Sequence, residues 1–177
     1  MAEIEIPKEW KPAGTGEEEL DYVLYDVVAS GTSASVTKTF FNHNEAEDGL
    51  AVTNMPIPGQ LPSTQRFLVK SIQLLIDVNA AAGDSADVLD GAVTEFKINN
   101  RRVYCCPSAL LAVPVATSQT RTAELGGAVN NVEPKLDKAI VIPGGVPFKI
   151  EMLLGKTAPS ASTDLTYILK GRLVRPA

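Results

Sequence analysis

The chain has 177 residues, 45% of them hydrophobic and 21% charged, which suffices for one core of ordinary size and lies outside the compositions of disordered or collagen-like chains. Sixteen basic against 21 acidic side chains leave a net charge of −5, the wrong sign for a surface that holds nucleic acid by releasing counterions, so no direct nucleic-acid partner is expected. No apolar run reaches the roughly 18 residues of a membrane span, and the only two cysteines, Cys105 and Cys106, are neighbours rather than the separated pairs of a disulfide framework.

The first ten residues, MAEIEIPKEW, carry acidic groups where a secretory signal carries positive ones, and no apolar segment follows, which predicts synthesis and retention in a cytoplasm. Residues 1–19 hold Pro7, Pro12, Gly14, Gly16 and the acidic run Glu17, Glu18, Glu19, a composition of an extended arm. Its apolar side chains Ile4, Ile6 and Trp10 would be wasted in solvent, so they are the predicted oligomer interface. The remainder, residues 20–177, reads as one domain.

Residues 20–28 form a first predicted strand, apolar on both faces, and residues 34–41 a second after a turn at Gly31. A loop at 42–49 precedes a short strand at 50–54, and MPIPGQLPS is a connection with too many prolines for an inner strand. Residues 67–78 are the longest apolar stretch and the predicted central strand. A strict period of two puts Ile72, Leu74, Ile76 and Val78 on one face, and Phe67, Val69, Ser71, Gln73, Leu75 and Asp77 on the other.

The segments 80–87 and 109–113 suit a helical turn or a loop. Residues 88–98 alternate, and Asn99-Asn100 follows; asparagine tolerates the positive φ of a two-residue type I′ turn, so residues 101–107 are the returning strand. A regular register then sets Phe96 opposite Val103, Glu95 opposite Tyr104 and Thr94 opposite Cys105, with Cys105 inward and Cys106 on the other side. Residues 114–138 have little periodicity and make a long connection. Strands at 139–142, 148–154 and 165–174 close the chain. About eight short strands with scarcely any helix define an all-β protein, best accommodated by a single jelly-roll sandwich of two antiparallel sheets with an extended N-terminal arm.

Candidate chemistry is sparse. His43, the one histidine, stands among Glu45, Glu47 and Asp48, and Asp84, Asp87 and Asp90 form a second acidic loop. Both invite calcium, yet loops 43–48 and 84–90 match no recognised ligand spacing, and acidic residues beside glycine also build turns without an ion. No metal or other cofactor is therefore expected. One histidine and no GxSxG elbow leave the serines without an activating triad, and the paired glycines fit turns rather than a phosphate loop. The expectation is a protein that is not an enzyme.

Read together, TNMPIPGQLPSTQRFLVKSIQLLID, the Asn-Asn hairpin, AIVIPGGVPFKIEMLL and the closing DLTYILKGRLVRP resemble the single jelly-roll capsid proteins of icosahedral bacteriophages, the tailless ones above all. The resemblance spans most of residues 20–177 and lies in strand order and turn style. It implies a structural virion protein, a shell subunit that self-assembles through its jelly roll and arm, made in the host cytoplasm and resident in the virion. It further implies a homo-oligomer that contacts other virion proteins and has no catalytic residues. A head-decoration or fibre-associated phage protein would share these features. A carbohydrate-binding β-sandwich is the other alternative, although aromatics at 6% make its usual aromatic platform scarce.

Overall fold

The computed structural model describes residues 10–77, 80–112 and 135–177; Ile4, Ile6, Val78 and most of the 114–138 connection lie outside them. The strands are β1 (Glu17–Ala29), β2 (Thr37–Phe40), β3 (Arg66–Ile76), β4 (Val93–Ile98), β5 (Arg101–Pro107), β6 (Lys135–Pro143), β7 (Phe148–Leu153) and β8 (Asp164–Pro176). Among the described residues, helices are confined to α1 (Glu45–Asp48), α2 (Ala82–Leu89) and a 3₁₀ turn at Ser108–Leu110. Among the described residues no helix is long and apolar enough to cross a membrane.

The strands make two four-stranded sheets, ordered β1-β8-β3-β6 and β2-β7-β4-β5, with every pairing antiparallel. The order has a simple origin. β4 pairs with β5 across a tight turn, β3 with β6, β2 with β7 and β1 with β8, so the chain is one long hairpin of nested pairs. Rolling that hairpin up adds the β3–β8 and β4–β7 pairings and generates two facing sheets, which is the jelly roll.

Alternation supplies the core. From one sheet Leu24, Phe67, Val69, Ile72, Leu74, Leu165, Tyr167 and Leu169 point inward, and from the other Phe40, Phe96, Ile98, Phe148, Ile150 and Met152; all are buried. Phe40 meets Tyr167 edge-on across the sandwich at 4.6 Å between ring centroids, a contact type that contributes about 0.5–1.5 kcal/mol beyond area burial. The Tyr167 hydroxyl is satisfied within the core by Thr94 of the opposite sheet, whose oxygen is 2.8 Å from that of Ser108.

β3 is internal, flanked by β8 and β6, as expected of a central strand, but its phase differs from a strict alternation. Against β8, Val69 lies opposite Gly171 and Ser71 opposite Lys170, so Lys70 is an extra residue, exposed in a β-bulge. The bulge switches the phase: Phe67 and Val69 join Ile72 and Leu74 in the core instead of facing away from them. Gly171 accommodates the bulge, because a Cβ there would stand 1.7 Å from the Leu68 carbonyl oxygen.

A second bulge corrects the hairpin register. The turn itself is as expected, with Asn99 and Asn100 at φ 49° and 60° and Ile98 opposite Arg101. Lys97 then faces Arg102 but Phe96 faces Tyr104, leaving Val103 as the extra residue; Glu95 faces Cys105 and Thr94 faces Cys106. Consequently Cys106 is buried and Cys105 exposed, the reverse of the expectation.

Residues 50–54 are a strap on the free edge of β1 rather than a strand. Asn54 replaces ladder bonds with its side chain, accepting from Tyr25 N–H at 3.0 Å and donating to the Val23 carbonyl at 2.6 Å. A single bridge links Thr53 to Asp26.

Candidate functional site at the base of the arm

The acidic run read as part of the arm is the opening of β1, because each glutamate has an arginine. Glu18 lies opposite Arg175 and binds it, Glu19 binds Arg172 at 2.7 Å, and Glu17 takes the Arg66 guanidinium with both oxygens at 2.8 Å. Three consecutive carboxylates at the start of the chain thus match the basic closing strand and the first residue of β3. The signal was present in the sequence as opposite charges at 17–19 and at 172 and 175, but only the nested pairing brings them together.

Arg66 also reaches the arm. Its Nε donates to the Lys11 carbonyl and its Nη2 to the Pro12 carbonyl, each at 2.9 Å, and its guanidinium lies over the Trp10 ring, 5.9 Å from the centroid. Gly14 N–H donates to Glu17 at 2.8 Å, Glu17 N–H returns to the Gly14 carbonyl at 3.1 Å, and the Ala13 N–H bonds the Glu19 carboxylate. Ala177 N–H closes the corner on the Gly16 carbonyl at 3.0 Å. Residues 10–14 are therefore laid along the outer side of the β1-β8-β3-β6 sheet. Val174, opposite Arg66 and Glu19, is fully buried there although it stands outside the sandwich core.

The electrostatics follow from these bonds. The Arg66 guanidinium, with help from the Gly14 amide, holds the Glu17 carboxyl at about 2, and Glu17 in turn raises Arg66. Arg172 lowers Glu19. Of the predicted interface residues, Trp10 is half-buried against Arg66 of its own chain, while Ile4 and Ile6 fall outside the described residues.

The acidic loops have structural partners. His43 Nδ1 is 3.0 and 3.1 Å from the two oxygens of Asp26, a fully buried carboxylate of β1 that also accepts Phe41 N–H at 2.6 Å. Burial raises the Asp26 carboxyl, and His43 opposes that rise. Sequence reading missed Asp26 inside an apolar strand; its phase with Leu24 and Val28 was the available sign. Asn44 caps α1 through the Glu47 amide at 3.0 Å, and Glu45, Glu47 and Asp48 are exposed. Asp84 accepts from both the amide and the hydroxyl of Ser160, at 2.5 and 2.8 Å, which ties α2 to the loop after β7. No group of three or more His, Cys, Asp or Glu among the described residues is arranged to hold a metal.

The outer face of the other sheet is a lattice of ion pairs. Glu95 lies opposite Glu151 and Lys97 opposite Lys149, arrangements that would repel, but Lys97 bridges both glutamates, Lys149 pairs with Glu151 and Arg102 with Glu95. An open cleft of about 240 Å³ beside it, lined by Phe41, Asn42, Lys97, Asn100 and Lys149, is smaller than typical ligand pockets.

No protein-family model matches this chain, and no curated protein does. Among solved structures it is similar to a chain of the Cyanophage Pam1 capsid asymmetric unit, at 11% sequence identity and a TM-score of 0.38, with 99% of this chain and 98% of that chain covered.

Proposed function

We propose that the chain is a structural, non-catalytic virion protein: a capsid shell subunit that assembles with copies of itself and with other virion proteins, made in the host cytoplasm and resident in the virion. The observation that carries this reading is a jelly roll with residues 10–14 laid on the outer side of one sheet, where an N-terminal arm would leave the domain. Jelly rolls also serve lectins and cupins, so the fold alone does not choose among them. The sites those functions would use are engaged otherwise: the one histidine is bound to Asp26, and the open sheet face is an ion-pair lattice where a glycan binder would present aromatic rings.

An arm suits assembly on energetic grounds. Ordering free chain costs about 1–2 kcal/mol per residue, so a contact built from Ile4 and Ile6 is held only where a neighbour offers pockets and the point of departure is already fixed, which is what the packing of Trp10 against Arg66 of its own chain provides. The test is to delete residues 1–9, which spares the clamped residues 10–14 and all of β1. The full chain should form large assemblies by light scattering and electron imaging, and the truncated chain should keep its melting curve while losing them. Normal assembly of the truncated chain, or a full chain that stays monomeric, would refute the proposal; attachment only to preformed heads would make it a decoration protein.

A further inference from the structure

Arg66 is positioned for more than a surface ion pair. We infer that Arg66 is the positioning residue of the N-terminal arm, a guanidinium clamp that ties residues 10–14 to the first residue of β1 and so sets where the preceding chain departs. Four of its five N–H groups are placed: two oxygens of Glu17 and the carbonyls of Lys11 and Pro12 receive them, and the guanidinium lies over the Trp10 ring. Neither the Lys11 nor the Pro12 carbonyl has another short-range partner among the described backbone bonds, so the guanidinium satisfies groups that a strand would have satisfied by pairing.

Only arginine fits this arrangement. A lysine ammonium supplies the charge but is a point donor, without the planar fork that engages a carboxylate with two bonds and two carbonyls at once. The location matters as well. Arg66 begins β3 beside β8, at the same end of the sheet as Glu17 of β1, so one side chain of β3 joins β1 and residues 10–12. Its bearing on assembly rests on the shell-subunit reading; the clamp itself does not.

Trp10 is the one tryptophan of the chain, so intrinsic fluorescence reports on the clamp alone. The experiment compares the full chain with Arg66→Lys, Arg66→Gln and Glu17→Gln by emission maximum, acrylamide quenching, and hydrogen exchange at the Ala13, Gly14 and Glu17 amides, with circular dichroism to monitor the fold. Arg66→Lys should red-shift the emission, increase quenching and abolish slow exchange at Gly14 while the β spectrum is retained. Glu17→Gln should give a smaller change of the same kind, and it serves alone if Arg66 variants fail to fold. Emission and exchange unchanged in every folded variant would overturn the clamp. A released arm with undiminished assembly by light scattering would leave the clamp standing and count against the arm as the assembly element.

Discussion

Two glycines with opposite surroundings separate steric necessity from mere tolerance. Gly171 faces the β3 bulge with no space for a side chain, whereas Gly83 sits inside α2 with nothing within 4 Å of a notional Cβ. Gly171→Ala must move the backbone of a central strand pair, and we expect a loss of about 3 kcal/mol in urea melts, at the upper end for overpacked sites. Gly83→Ala should instead stabilise by roughly 0.5–1 kcal/mol, the ordinary helix preference for alanine. Equal effects at the two sites would show that the bulge is misplaced. The cysteines provide an independent check at the same scale. Cys106 is buried, and burial raises its thiol above the usual range, so it should label slowly in native protein while Cys105 labels fast.

At the level of elements, the hairpin shows what local chemistry can specify. Asn99-Asn100 was legible because few residues accept two successive positive φ values, and the turn lies where that rule places it. Asn100→Val should cost about 1–2 kcal/mol, the penalty of a branched side chain in left-handed backbone, whereas Asn100→Gly should be nearly neutral in the same thermal melts. The bulges were not legible. An extra residue at Lys70 or Val103 changes neither composition nor strand length, and its only sequence trace is a break in alternation that a continuously apolar run such as FLVKSIQLL conceals. Likewise, the roles of Asp26 and Glu17–Glu19 depend on partners far along the chain, which nested pairing supplies and local pattern does not. Deleting Val103 tests the register: because Tyr104 and Cys106 already have their partners on β4, the deletion should leave Cys106 slow to label. A Cys106 that becomes fast would restore the unbulged alignment.

For the whole molecule, two opposed sets of carboxyls govern acid behaviour. Glu17, Glu19, Glu95, Glu151 and Asp84 all lie below their ordinary values because they are held by arginine, lysine or Ser160 partners. A depressed group stabilises the fold above its unfolded value and loses that stabilisation as pH falls through the folded one, so melting temperature should drop progressively below pH about 4.5. Asp26 acts in the other direction: raised by burial, it favours the fold when protonated, and that contribution fades as pH climbs past its folded value. Asp26→Asn should therefore gain stability more steeply than the native chain as pH rises above the ordinary aspartate value of about 3.9, and parallel curves would contradict a buried, desolvated carboxyl.

As a shell subunit, the proposed role, the chain must assemble with copies of itself. The most direct measurement is electron imaging of the purified full chain at increasing concentration, with mass by light scattering on the same samples. Closed, multi-subunit particles of uniform size are expected, and they should disappear when residues 1–9 are deleted although the β fold persists. A strict monomer at every concentration, indifferent to the deletion, would contradict that role.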